Sequence, residues 1–124
     1  MNVVNLQEKL ATFSEPWKAR IVSELNDNYV KLVKFQGDFL WHHHESEDEL
    51  FFVVKGTMKM NFRDESGTER HVIVRPGELL VVPRGVEHKP AGDEEVHVML
   101  IEPKTTLNTG NLRNERTVDQ MQRI

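Results

Sequence analysis

The sequence predicts one all-β domain, an antiparallel sandwich or barrel, and three observations point there. From Lys18 onward the apolar residues recur at every second position, the period of a strand with one buried face. Turn-forming Gly, Pro, Asn and Asp clusters interrupt that pattern at short intervals, as in chains of consecutive hairpins. The 124 residues, 14.5 kDa, suit a single domain, and a chain of that size buries about two-thirds of its unfolded surface.

The elements follow in order. Asn5 to Phe13 reads as a short helix: Asn5 is a capping residue, Leu6, Leu10 and Phe13 share a face, and Pro16 closes the segment. Strands are predicted at Arg20–Leu25 and Tyr29–Phe35, joined by an Asn-Asp-Asn turn. Gly37-Asp38 is a second turn, Phe39–His44 a third strand and Leu50–Val54 a fourth. Gly56 turns the chain into Thr57–Arg63, and Asp64-Glu65-Ser66-Gly67 is the loop of a hairpin that returns through Glu69–Val74. Leu79–Val82 is apolar throughout and is expected to be buried on both sides. After the Pro83–Gly85 turn, Val96–Ile101 is the last clear strand, ended by Pro103. The chain thus divides into an N-terminal helix and arm (1–17), a barrel (18–103) and a polar C-terminal tail (104–124), anchored by Leu107, Leu112, Val118, Met121 and Ile124.

Composition narrows the function. There is no cysteine, which removes disulfides, thiolate catalysis, zinc fingers and iron–sulfur clusters. The net charge of −4 offers no positive field for nucleic acid, and no apolar run approaches a membrane span. The first residues lack the basic segment and apolar stretch of a secretory signal, so the expected location is the cytoplasm.

Chemistry concentrates in the six histidines: His42, His43, His44, His71, His88 and His97. Three are consecutive in an expected strand, where alternation puts His42 and His44 on one face and His43 on the other. The acidic turn Glu45-Ser46-Glu47-Asp48 then returns Glu49 on the adjoining strand, close to His44. His88, after the Pro83-Arg84-Gly85 turn, is a third imidazole able to join them.

The run Gly37-(four residues)-His42-x-His44-(four)-Glu49-(six)-Gly56 resembles the first motif of the cupin superfamily. The run Gly77-(five)-Pro83-x-Gly85-(two)-His88 resembles the second. The first motif usually has five residues before its first histidine, which opens a register through His43. That register is rejected because His43-x-Glu45 would lose the second imidazole. The second motif usually ends in an Asn where Gly92 stands, and that Asn is not a ligand. The resemblance implies a jelly-roll barrel holding one divalent metal on His42, His44, Glu49 and His88. Imidazole and carboxylate suit Fe, Mn, Ni, Zn or Cu, and two positions of an octahedral ion stay open. An oxygen-rich small molecule such as a sugar, hydroxy acid or keto acid is the expected ligand, with isomerase-like or dioxygenase-like chemistry. The alternative is a non-catalytic ligand-binding or sugar-sensing module.

The remaining side chains have plainer expectations. Glu45, Glu47 and Asp48 form a solvated loop, His43 and His71 lie on the surface, and His97 turns outward from the aliphatic face of Val96, Val98 and Leu100. Met58, Met60 and Phe62 line the barrel, Arg84 sits in a turn, and Trp41 opposes His42. Tyr29 and Lys31 share a face whose direction is open; a Lys, Tyr or second Glu in the lumen favours isomerase chemistry, and an all-apolar lumen favours oxygen chemistry. Leu50, Phe52 and Val54 alternate with Glu49 and so face outward. An apolar outer face marks an interface, so a homodimer is expected, with a crossing N-terminal segment as one device.

Overall fold

Alternation of buried and exposed residues along each strand builds the barrel. The structure, a computed structural model, describes all 124 residues. The N-terminal helix α1 (Leu6–Leu10) is shorter than the predicted Asn5–Phe13, and Asn5 caps it by accepting from the Glu8 amide at 2.9 Å. Then come β1 (Arg20–Leu25), β2 (Asn28–Asp38), β3 (Glu49–Lys55), β4 (Met58–Arg63), β5 (Glu69–Val74), β6 (Leu79–Val82), β7 (His88–Pro103) and β8 (Gln122–Arg123). No helix is long and apolar enough to cross a membrane.

The long strand β7 organises the rest. Its first part pairs with β4 (Phe62 opposite His88), and its second part lies between β2 (Lys31 opposite Leu100) and β3 (Phe51 opposite Leu100). One sheet runs β5-β4-β7-β2-β1-β8, with β3 and β6 branching from β7, and it rolls into a jelly-roll barrel. All pairings are antiparallel except β1 with β8. Val33, Phe35, Phe51, Val53, Met58, Met60, Val96, Val98 and Leu100 fill the interior.

Four expectations are corrected. Phe39–His44 is not a strand: it crosses to β7 through a single bridge, His42 with His88, although His42 and His44 still share the buried side. Gly37-Asp38 is not a turn but the end of β2, which continues past a bulge after Phe35. The last strand begins at His88, eight residues before Val96, because its polar start pairs with β4. Leu79–Val82 is not buried on both sides: β6 pairs only with β3, so Leu79 and Val81 stand 60% and 48% exposed on the outer face.

The tail is ordered by backbone bonds rather than by apolar burial alone. The Asn111 amide donates to the His43 carbonyl (3.0 Å), and the His43 amide donates to Asn111 Oδ1 (2.9 Å). Thr109, fully buried, donates to the Leu112 carbonyl at 2.6 Å. Strand β8 then pairs with β1, and the Ile124 amide reaches the Ile21 carbonyl at 3.0 Å. The N-terminal arm packs on its own barrel: Lys34 donates to the Phe13 carbonyl (2.6 Å) and the Trp17 amide to the Lys34 carbonyl (2.8 Å).

Candidate metal centre

His42 and His44 reach the barrel interior from the 39–44 segment, Glu49 from the start of β3 and His88 from the start of β7. All four are buried, and their ligand atoms lie within 4.8 Å of one another. These are the four residues that the motif spacing singles out.

The hydrogen bonds fix how the rings are presented. His42 Nδ1 donates to the Leu40 carbonyl and His88 Nδ1 to the Val86 carbonyl, each at 2.9 Å. A carbonyl can only accept, so a ring proton sits on Nδ1, and Nε2 of each ring faces the interior as the atom able to ligate. Glu49 Oε1 lies 3.0 Å from His88 Nε2 and 3.0 Å from His44 Nε2. A deprotonated imidazole nitrogen and a carboxylate oxygen at that distance repel unless a proton or a metal cation lies between them. His44 Nε2 is in addition buried with no hydrogen-bond partner despite its nearness to Glu49. A spacing of 3.0 Å also matches adjacent ligands on an octahedral ion with bonds of about 2.1 Å. The donor set therefore fits a divalent transition metal.

Burial, followed by the nearby His88, lowers the pKa of His42 to about 4, against the opposing effects of the Leu40 carbonyl and Glu49. The ring thus stays neutral and ready to bind over the ordinary pH range. Burial alone would raise Glu49, but the neighbouring Glu102, His44 and His88 side chains outweigh it and hold the carboxyl well below its ordinary range. Burial and the neighbouring Glu49 charge push Glu102 well above that range, against the pull of Lys31.

A second polar pair adjoins the cluster. Lys31 Nζ donates to Glu102 Oε1 at 2.6 Å, with both side chains almost wholly buried. Adjacent strands β2, β7 and β3 carry Lys31, Glu102 and Glu49 in that order. These three residues and His42 line a cavity of about 70 Å³ whose other walls are largely aromatic and aliphatic. Trp17 stacks on Phe35 and Phe39 there, with ring centroids 4.5 and 4.9 Å away, and Asn108, Val118 and Met121 of the tail complete the wall.

The other expectations fare as follows. Asp48 holds the Arg84 turn through its backbone amide (2.8 Å) and Nε (3.1 Å), so Arg84 is committed to an ion pair at the surface. Glu45 is exposed, and Glu47 accepts from Thr105 at 2.9 Å. His71 is exposed, His43 is half-buried away from the cluster, and His97 pairs with Glu95 at 2.7 Å. Trp41 lies under the Arg63 and Lys89 side chains. Met58 and Met60 are interior, and Phe62 is half-buried.

Sequence reasoning missed Glu102, Trp17 and the tail residues, and left the direction of Lys31 open. The Val96, Val98, Leu100 alternation, carried one step further, points Glu102 inward. Nothing comparable announces Trp17: its φ of +64° is a backbone state that only the fold reveals.

A family model described as the Cupin domain matches residues 29–102, more than half of the chain. The chain belongs to the cupin family. This cupin is 34% identical over 84 residues to the uncharacterized protein YdbB of Bacillus subtilis, covering 68% of this chain and 65% of that one. It is 33% identical over 72 residues to the acireductone dioxygenase of Bacillus subtilis, covering 58% of this chain and 40% of the relative. The chain thus spans less than two-thirds of either curated relative. Among solved structures, a cupin-2 domain containing protein from Shewanella frigidimarina superposes with a TM-score of 0.77 at 42% identity, over 82% of this chain and 95% of that one.

Proposed function

We propose that this cupin is a metal-dependent enzyme holding one divalent transition ion on His42, His44, Glu49 and His88. Its substrate is a small oxygen-bearing molecule, and dioxygenase chemistry is the leading reaction class. The observation that supports the metal is the buried convergence of His42, His44, Glu49 and His88, with their ligand atoms within 4.8 Å of one another and His88 Nε2 facing Glu49 Oε1. The likeness to acireductone dioxygenase and the apolar lining of the cavity support oxygen chemistry. The bound ion supplies Lewis acidity to an oxygen ligand and, if redox-active, a partner for dioxygen. The Leu40 and Val86 carbonyls orient the two imidazoles, Glu49 supplies the negative charge, and the Trp17, Phe35 and Phe39 stack keeps water from the cavity wall. The buried Lys31–Glu102 pair favours a second reading, an isomerase or lyase that needs no oxygen.

Metal analysis of untagged protein, followed by an oxygen-electrode screen of small enediols, hydroxy acids and keto acids, tests this. One equivalent of metal with oxygen uptake is expected. Substrate turnover without oxygen uptake moves the assignment to the isomerase reading, and metal with no turnover of any kind moves it to the ligand-binding module.

We also infer a homodimer. Across β6, β3 and β7 the register aligns Leu79, Phe52 and Met99 in one row and Val81, Leu50 and Ile101 in the next. Leu79 and Val81, at the edge of this apolar outer face, are exposed in the single chain. A second copy covering that face accounts for an apolar edge strand that otherwise invites aggregation. Light scattering is expected to return twice 14.5 kDa, and Val81→Lys to return a monomer; a wild-type monomer at micromolar concentration refutes the dimer.

A further inference from the structure

The Lys31–Glu102 pair is only half satisfied. An ammonium carries three N–H donors, and the one acceptor that Lys31 Nζ meets is Glu102 Oε1. On the other side of the pair, Glu102 Oε2 is buried without any partner. Both side chains line the cavity that also contains His42 and Glu49. Burying a charge with spare donors is costly unless something completes the hydrogen bonds.

Charge balance says what that something is. Glu49 and Glu102 supply at most two negative charges among the cavity's side chains, and Lys31 is its only lysine or arginine. A divalent ion beside Lys31 leaves an excess of positive charge in a low-dielectric site, which an anion neutralises. Size adds a limit: the cavity measures about 70 Å³, whereas a cavity of about 150 Å³ holds benzene. The ligand is therefore compact.

We propose that Lys31 is the anion-recognition residue of this site: its ammonium, braced by Glu102, pairs with a carboxylate or enolate oxygen of a compact substrate at the metal centre. This deepens the metal-dependent reading above and rests on it. The apolar part of the substrate then lies toward Phe35, Phe39 and Trp17, on the same cavity wall.

The test uses the full untagged chain loaded with Co(II) and two probes of nearly equal shape, lactate and lactamide, of which only the first is charged. Binding is followed by calorimetry and by the visible cobalt spectrum. Wild type is expected to prefer lactate. Lys31→Met is expected to keep its cobalt and ligand-free spectrum, to bind lactate about 10–100-fold more weakly, and to shift lactamide by less than about threefold. The double variant Lys31→Met/Glu102→Leu removes both buried charges, a change proteins often tolerate, and is expected to lose the same preference; it decides the matter if the single variant does not fold. A purely structural role for Lys31 would lower the melting temperature while leaving the lactate-to-lactamide ratio intact, and that result overturns the proposal. So does a cobalt-loaded wild type that binds neither probe or does not discriminate. A wild-type chain that takes up no cobalt brings down the metal reading itself, and this proposal with it.

Discussion

Replacing His88 by glutamine is expected to empty the metal centre, and replacing His43 to leave it full. His88 Nε2 is one of the lone pairs converging near Glu49 Oε1, and a glutamine amide cannot reproduce it. Changes to groups that merely orient a ligand cost about 10–100-fold in metal affinity, so losing a ligand costs at least that. His42→Gln and Glu49→Gln should behave alike. His43 contributes its backbone amide and carbonyl to the tail through Asn111, which any residue can do, so His43→Gln should change stability by no more than about 0.5 kcal/mol. Metal content after dialysis against excess free metal reads the series. If His43→Gln empties the site and His42→Gln does not, the motif runs one residue later than the geometry indicates.

The same residues set the pH response of the metal-free chain. Unfolded histidine titrates near its ordinary value of 6.5, whereas His42 resists protonation down to about 4. Between those values the unfolded state binds the extra proton, so stability falls as pH drops through that window. At about 1.36 kcal/mol per unit the loss is of the order of 3 kcal/mol. Urea midpoints of the metal-free chain should show this slope, and His42→Gln should flatten it; parallel slopes would mean that His42 does not carry the effect.

Gly110→Ala is expected to be the most damaging single methyl in the tail. A Cβ there would meet the His43 carbonyl oxygen at 2.2 Å and His42 Cδ2 at 3.0 Å, at a φ of +58° that side chains rarely adopt. Backbone strain of about 1–3 kcal/mol and overpacking of a similar size add up to several kcal/mol, limited by the free energy at which the tail detaches. The melting temperature should fall, the tail should become sensitive to protease, and metal affinity should weaken because the clash lies against His42. Gly67→Ala is the matched control: its φ is +80° but nothing stands within 4 Å of the added carbon, so only the strain remains. Equal effects of the two variants, with a protease-resistant tail in both, would show that the tail does not pack against His43.

Much of this architecture is legible in the chain because strand alternation and motif spacing are local signals. The alternation through Leu50–Val54 and Val96–Ile101 assigns inner and outer faces correctly, and the His42, His44, Glu49, His88 spacing singles out the residues that converge. What is not legible depends on pairing partners. Leu79–Val82 reads as an interior strand by composition, yet it lies at an edge, which no local pattern encodes. Phe39–His44 alternates like a strand but finds only one bridging partner. Lys31 becomes interior because β2 lies beside Glu102 of β7, a contact between residues 71 positions apart. Alternation alone leaves the direction of Lys31 open, and only a buried acid makes the inward orientation tolerable.

The aromatic stack on the cavity wall also turns the protein into its own optical probe. The chain has two tryptophans, and they sit in unlike places. Trp17 lies on Phe39, whose ring meets the His42 ring edge-on at 5.4 Å, whereas Trp41 lies beneath Arg63 and Lys89. In a Trp41→Phe background all indole emission comes from the cavity wall. Loading with a paramagnetic ion should then quench it, and a ligand packing beside Phe39 should shift its colour. Occupancy of the centre can thus be followed in real time, without a chromogenic substrate and before the natural one is known.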